Sequence, residues 1–130
     1  MADVLVLIND LIFETRIRAA AADAGVSASF AKDAALFAKG LAGEKPALAI
    51  IDLNSGPNAV EAAAQAAADT SKPRVVCFVS HVDRELAAAA KNAGAEVLPR
   101  SVFVQQLPRI LLESRPRHPE PSEGPPTSNA

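Results

Sequence analysis

Continuous apolar runs recur along the chain, and each of the three longest ends at a polar residue. Runs of four to eight apolar residues without polar alternation are typical of strands that are buried on both faces of a sheet. Two further segments, which are more polar, are also predicted to be strands. The predicted strands are Val4–Ile8, Val26–Phe30, Ala47–Ile51, Val75–Val79 and Glu96–Leu98.

Helical spacing fills the segments between these strands. Phe13, Ile17 and Ala21 recur every four residues and predict an apolar helix face, and Gly25 follows where a left-handed residue ends many helices. Asp83 is a natural N-cap for the fourth helix. The predicted helices are Leu11–Ala24, Ala31–Leu41, Ala59–Ala68, Asp83–Ala93 and Val104–Ser114, with Pro108 near the first turn of the last.

The alternation of five strands with five helices indicates an α/β fold. Because right-handed crossovers place consecutive helices on both faces of a parallel sheet, we expect a three-layer, doubly wound, five-stranded sheet. The flavodoxin-like strand order 2-1-3-4-5 suits this length and places the three most apolar strands at the centre. Half of the ten prolines fall in residues 116–130, which contain no Val, Ile, Leu or Phe. We therefore predict a domain over 1–115 and a disordered, proline-rich tail over 116–130.

Composition excludes several classes of protein. One Cys and two His are too few for a disulfide scaffold or a zinc cluster. No apolar run reaches the roughly 18 residues of a membrane span. The net charge of −2 gives no electrostatic footprint for nucleic acid. The N-terminal residues lack the pattern of a signal peptide, so we expect a cytoplasmic protein that binds neither membrane nor nucleic acid.

Polar side chains follow the strands at the edge where ligands bind in open parallel sheets. Asp10 follows the first strand, Asp52 the third, Ser80 the fourth and Arg100 the fifth. Two nearby carboxylates repel each other unless a cation joins them, and oxygen ligands suit Mg²⁺. A hydroxyl and a guanidinium opposite them suit the oxygens of a phosphoryl group.

In this order the residues resemble the receiver domains of two-component response regulators, over roughly residues 1–115. The motifs that carry the resemblance are Asn9-Asp10, LAIIDL ending near Asp52, VVCFVS ending at Ser80, and GAEVLPRS with Arg100. The resemblance implies that Asp52 accepts a phosphoryl group and that Ser80 is the switch residue. It implies phosphoryl contact by Arg100, and Mg²⁺ ligation by Asp10, Asp52 and the backbone carbonyl of Asn54. It also implies phosphorelay signal transduction rather than enzyme activity, with a histidine kinase or phosphotransfer protein as donor and a downstream protein partner for output.

Several positions depart from the family pattern and suggest a divergent member. Asn9 replaces the first acid, which weakens Mg²⁺ binding. Arg100 and Ser101 replace a Lys-Pro pair, and arginine lacks the compact geometry of an ammonium group. Val97 stands at the aromatic switch position of the fifth strand. These departures motivate an alternative function, that of a phosphorylation-independent pseudo-receiver that binds another protein.

Each candidate residue also has a purely structural interpretation. Asp52 can turn the chain into the loop that follows it. Asp10 can cap the first helix, and Ser80 competes with Asp83 to cap the fourth. Arg100 can be a solvated charge. The single Cys77 lies within an apolar run and is interpreted as a small core residue. A Ser80–His81–Asp83 hydrolase triad is rejected because neighbours in an extended segment point to opposite sides. A small enzyme or cofactor carrier on the same fold is the third hypothesis.

Overall fold

Five strand–helix units follow one another in the computed structural model, which describes residues 2–80 and 83–115. The tail predicted over 116–130 lies outside the described residues, as does His81. The strands are β1 (Val4–Leu7), β2 (Ala28–Ala31), β3 (Leu48–Asp52), β4 (Arg74–Val79) and β5 (Glu96–Pro99). The helices are α1 (Leu11–Ala24), α2 (Ala34–Glu44), α3 (Ala59–Ala68), α4 (Arg84–Asn92) and α5 (Arg100–Glu113).

The strands form one sheet in the order β2-β1-β3-β4-β5, and every neighbouring pair is parallel. Val6 of β1 lies beside Ile50 of β3, which lies beside Val76 of β4. This register aligns the carboxyl ends of the central strands at one edge. The predicted fold class and strand order are confirmed.

Alternate side chains of the central strands enter two separate cores, one on each face of the sheet. Val4 and Val6 pack with residues of α1 and α5, whereas Leu5 and Leu7 pack with residues of α2, α3 and α4. Alanines supply most of the buried surface of α3, so this helix approaches the sheet closely. Cys77 is fully buried in the second core, and burial raises the pKa of its thiol to about 12. Its interpretation as a core residue is confirmed.

Three phenylalanines join the first core to the edge that carries the candidate site. Phe13 of α1 packs edge-on against Phe78 of β4 with ring centroids 5.2 Å apart. Phe78 stacks on Phe103 of α5 at 4.6 Å. These contacts fix the start of α1 and of α5 relative to β4.

Helix α2 begins and ends three residues later than predicted. Asp33 caps it by accepting a hydrogen bond from the backbone N–H of Leu36. The helix continues through Gly40. A side chain at this position would have no room, because a Cβ would lie 2.9 Å from Cδ1 of Leu5. Gly40 therefore permits the close approach of α2 to β1. Lys45, the C-cap residue that follows the helix, adopts a left-handed conformation.

Helix α5 begins at Arg100, four residues before the predicted start at Val104. The prediction that Pro108 lies near the first turn was therefore wrong, since Pro108 lies inside the helix and leaves one intrahelical hydrogen bond unmade. The buried residues Phe103, Leu107, Ile110 and Leu111 hold this helix on the sheet. Its early start places Arg100 directly at the end of β5.

Candidate functional site

Four side chains named from the sequence come to the carboxyl edge of the sheet. Asp52 is the last residue of β3, and Asp10 stands between β1 and α1. Ser80 directly follows β4, and Arg100 is the first residue of α5. The order of the strands places these positions on neighbouring elements, as expected from a parallel sheet.

Asp52 is a buried carboxylate, with 6% of its surface exposed. One carboxylate oxygen, Oδ1, accepts a hydrogen bond of 2.9 Å from the backbone N–H of Asn54. Burial raises the pKa of Asp52, whereas the Asn54 N–H and the charge of Arg100 lower it and the charge of Asp10 raises it further. Asp52 also begins a turn, because its backbone carbonyl accepts from the N–H of Ser55. Asp52 thus begins the turn after β3, as its structural interpretation predicts, and also lies at the edge that carries the other candidate site residues.

Asp10 caps helix α1. Its Oδ1 accepts hydrogen bonds of 3.1 Å from the backbone N–H groups of Ile12 and Phe13. Its second oxygen, Oδ2, lies 3.6 Å from Nη2 of Arg100. Capping is therefore confirmed, and only one oxygen of this carboxylate faces the neighbouring strand ends.

Arg100 contacts three other residues around the site. Its Nη1 donates a long hydrogen bond of 3.4 Å to Oγ of Ser80. Its Nη2 faces Asp10, and its Cζ lies 4.2 Å from the ring centroid of Phe13. A cation over an aromatic face is attracted by the electron density of the ring. Arg100 is therefore a member of this cluster rather than an isolated solvated charge.

Two asparagine side chains tie the loop after β3 to its neighbours. Oδ1 of Asn54 accepts a hydrogen bond of 2.7 Å from the backbone N–H of Ser80. Nδ2 of Asn9 donates one of 2.6 Å to the carbonyl of Ser55. The family resemblance implies only a backbone role for Asn54, and neither amide contact was predicted. The signal was the run of Asn, Ser and Gly after Asp52, whose side chains often bond to nearby backbone.

Solved structures resemble this arrangement, although no protein family model and no curated protein sequence matches the chain. The receiver domain of NtrX from Brucella abortus has a TM-score of 0.74 at 18% identity, over 87% of this chain and 100% of that one. A response regulator from Thermotoga maritima has 0.71 at 19% identity, over 85% and 94%. The phosphorylated cyanobacterial phytochrome response regulator RcpA has 0.68 at 18%, over 86% and 89%.

The chain has the receiver-domain fold. A comparison with the longer NtrX chain in complex with ADP has a TM-score of 0.72 at 20% identity and covers 87% of this chain but 26% of that one. The chain therefore spans about a quarter of that NtrX structure. The shared part is the receiver fold.

The receiver fold aligns Asp52, Ser80 and Arg100 at one edge, but Mg²⁺ fits this edge poorly. Asn9 contributes no charge, and its amide donates to the loop after β3. Asp10 uses one oxygen as a cap and presents the other to Arg100. Within residues 2–80 and 83–115, no group of three or more His, Cys, Asp or Glu side chains is arranged to hold a metal. A divalent ion at Oδ2 of Asp10 would compete with the guanidinium of Arg100 for this oxygen.

The fourth helix of this receiver fold is capped by Asp83 rather than by Ser80. Oδ1 of Asp83 accepts a hydrogen bond of 3.0 Å from the N–H of Leu86. The Ser80 hydroxyl is left to face Arg100. The competition between the two residues for the cap is thus decided in favour of Asp83, and Ser80 belongs to the cluster at the strand ends.

A groove of about 720 Å³ lies beside this cluster, between α4 and α5. Ser80 and Arg100 line it together with apolar and basic side chains. The other lining residues are Arg16, Val79, Asp83, Arg84, Ala87, Pro99, Ser101 and Val104.

In the part of the chain that the structure describes, no helix is long and apolar enough to cross a membrane.

Proposed function

We propose that this chain is a receiver-like signalling domain of a phosphorelay that accepts a phosphoryl group on Asp52. The observation that supports the proposal most strongly is the environment of this side chain. Asp52 is the only buried carboxylate among the described residues, and the positive charge of Arg100 lowers its pKa. One matched structure, RcpA, is a phosphorylated response regulator with the same fold.

The chemistry required of Asp52 is nucleophilic. One carboxylate oxygen attacks the phosphorus of a phosphohistidine on the donor protein, and an O–P bond forms as the N–P bond breaks. The imidazole nitrogen keeps the electron pair of the broken bond. Burial raises the pKa of Asp52 and so makes the ionised oxygen a better nucleophile. Because Oδ1 accepts the Asn54 N–H, Oδ2 is the oxygen that we expect to react.

We propose that Arg100 and Ser80 bind the oxygens of the transferred group. The guanidinium carries fixed donors and a permanent charge, and a phosphoryl group offers several acceptor oxygens. The Ser80 hydroxyl already lies within 3.4 Å of this guanidinium. Phosphorylation would give the guanidinium a stronger acceptor than the Ser80 hydroxyl, and would give the Ser80 O–H an acceptor that Arg100 cannot supply. We propose that this change alters the wall of the groove, where a downstream protein partner binds.

The experiment that tests phosphoryl acceptance uses acetyl phosphate as the donor. The full chain is incubated with acetyl phosphate in MgCl₂ and, in parallel, in EDTA, and its intact mass is measured. We expect a gain of one phosphoryl group that is absent in Asp52→Asn. Asp23→Asn, which changes an exposed carboxylate of α1, is the matched control and should be labelled like the wild type. No gain under either condition contradicts the proposal.

A second candidate function is a phosphorylation-independent module that binds a protein partner. The observation that favours it is the engagement of Asp10 and Ser80 by Arg100 in the unphosphorylated chain. In that case the cluster is already in the arrangement that the partner recognises. An unlabelled chain whose partner binding is lost in Arg100→Met but unchanged in Asp52→Asn would favour this function over the first.

A further inference from the structure

The guanidinium of Arg100 lies among the polar side chains at the carboxyl edge of the sheet. It is 3.6 Å from Oδ2 of Asp10, and its charge lowers the pKa of Asp52 against the effect of burial. Ser80 accepts one of its N–H groups. One residue of the chain therefore contacts Asp10 and Ser80, and its charge also acts on Asp52.

We propose that Arg100 is the resident cation of this site and makes the domain independent of divalent metal. The contacts above hold one permanent positive charge beside Asp10 and Ser80. Because the arginine is covalently part of the chain, this charge is present at every metal concentration. The inference goes beyond the proposed function, since it holds for both the phosphorylated and the phosphorylation-independent alternative.

The balance of charge supports this assignment. With Asn9 in place of an acid, only Asp10 and Asp52 contribute negative charge, and one guanidinium neutralises half of it. Arginine does not lose its proton in proteins, so its charge does not depend on pH in the ordinary range. A divalent ion added to this cluster would leave a net positive charge among buried and half-buried groups.

The packing of Arg100 also holds the guanidinium in place. Its Cζ lies 4.2 Å from the ring centroid of Phe13, and Phe13 is fixed by its contacts with Phe78 and Phe103. A guanidinium loses less hydration than an ammonium when it stacks on a ring. Mg²⁺, in contrast, gives up its water reluctantly and requires nearly octahedral ligands. Displacing the stacked arginine to bind Mg²⁺ is therefore unfavourable.

One oxygen of each carboxylate already accepts hydrogen bonds from the backbone. Oδ1 of Asp10 accepts two backbone N–H groups at the start of α1, and Oδ1 of Asp52 accepts the N–H of Asn54. Each carboxylate thus has one oxygen left. Removal of the guanidinium would leave Oδ2 of Asp10 without its charged partner, and we expect Mg²⁺ to take the place of that partner.

The test is the melting temperature of the full chain in EDTA and in MgCl₂, with NaCl added to match ionic strength. A ligand that binds only the folded state raises the melting temperature. We expect no Mg²⁺-specific shift for the wild type and a clear upward shift for Arg100→Met, which keeps most of the side-chain length but lacks the charge. Arg109→Met, on the exposed face of the same helix, is the matched control and should show no shift.

A Mg²⁺-specific rise in the wild type would overturn the inference, and so would the absence of a rise in both wild type and Arg100→Met. If Arg100→Met does not fold, Arg100→Gln replaces it as the variant without the charge. The wild-type measurement can be interpreted without either variant. Arg100→Lys should stay insensitive to Mg²⁺ because it retains a cation. Labelling of Asp52 is read separately by mass, so failure of phosphoryl acceptance leaves the melting result interpretable.

Discussion

Arg100 and Asp10 form an ion pair, Nη2 to Oδ2 at 3.6 Å, between the first residue of α5 and the cap of α1. The other oxygen of Asp10 accepts hydrogen bonds from the N–H groups of the second and third residues of this helix. Both side chains are about two-fifths exposed, and an ion pair of this exposure contributes at most about 1 kcal/mol. Its importance lies in positioning the guanidinium beside Ser80, where its charge also lowers the pKa of Asp52.

The two roles of Asp10 can be separated by mutation. We expect Asp10→Ala to lower the free energy of unfolding by about 1 kcal/mol, because α1 loses its cap. Asp10→Asn keeps an acceptor for the N–H groups and should lose clearly less. Urea denaturation of both variants measures the difference, with Asp23→Ala on the exposed side of α1 as control. Equal losses for Asp10→Ala and Asp10→Asn would show that charge, not capping, stabilises this position.

The burial of Asp52 predicts a dependence of stability on pH. Since burial raises the pKa of Asp52 in the folded chain, the folded state binds its proton more tightly than the unfolded state. The contribution of Asp52 to stability is therefore present at low pH and is lost as pH rises through its folded pKa. Asp52→Asn should be more stable than the wild type at pH 7, by a margin that shrinks toward pH 4. Urea denaturation across this range measures it, and a margin that grows on acidification would contradict the assignment.

Two glycines of α2 provide a matched pair of substitutions. At Gly43 an added Cβ meets no heavy atom within 4 Å, so Gly43→Ala should stabilise the helix by up to about 1 kcal/mol. At Gly40 the Cβ lies 2.9 Å from Cδ1 of the buried Leu5. Crowding in a packed core costs about 1–3 kcal/mol, so Gly40→Ala should be the less stable variant. Thermal denaturation of the two proteins checks the order, and the reverse order would show that α2 does not need a glycine against β1.

The contact of Asn54 with Ser80 predicts a local change in dynamics. In Asn54→Ala the backbone N–H of Ser80 loses its acceptor, so its hydrogen exchange should become faster. Asn54→Asp retains an acceptor oxygen and should keep the exchange slow. Asn58→Ala is the control, because Asn58 is exposed and forms no side-chain cap bond at α3. Equal exchange rates at Ser80 in Asn54→Ala and the wild type would contradict the contact.

The sequence predicts the framework well where local signals agree. Helix α1 is predicted at both ends, because Asp10 is a strong cap and Gly25 adopts the left-handed conformation at its end. Helix α5 has no side chain that caps its start, and Pro99 and Arg100 resemble a loop in the sequence. Its true start is set by the packing of Phe103 and Leu107 on the sheet, which is a tertiary effect.

The sequence predicts the positions of the candidate site residues but not their contacts. The positions of Asp10, Asp52, Ser80 and Arg100 follow from topology alone, since parallel strands end at one edge. Their partners do not follow, because the stacking of Arg100 on Phe13 and the amide of Asn54 depend on side-chain conformations chosen by neighbours far along the chain. Capping by Asp10 could be predicted, but its simultaneous contact with Arg100 could not.

The claim that Asp52 accepts a phosphoryl group is tested most directly by identifying the modified residue. The chain is treated with acetyl phosphate and then with borohydride, which reduces an acyl phosphate to an alcohol and so converts the modified aspartate to homoserine. Peptide sequencing by mass spectrometry then locates the homoserine. The account predicts homoserine at position 52 alone. Homoserine at position 10, phosphate found on Ser80, or no modification of the chain would contradict it.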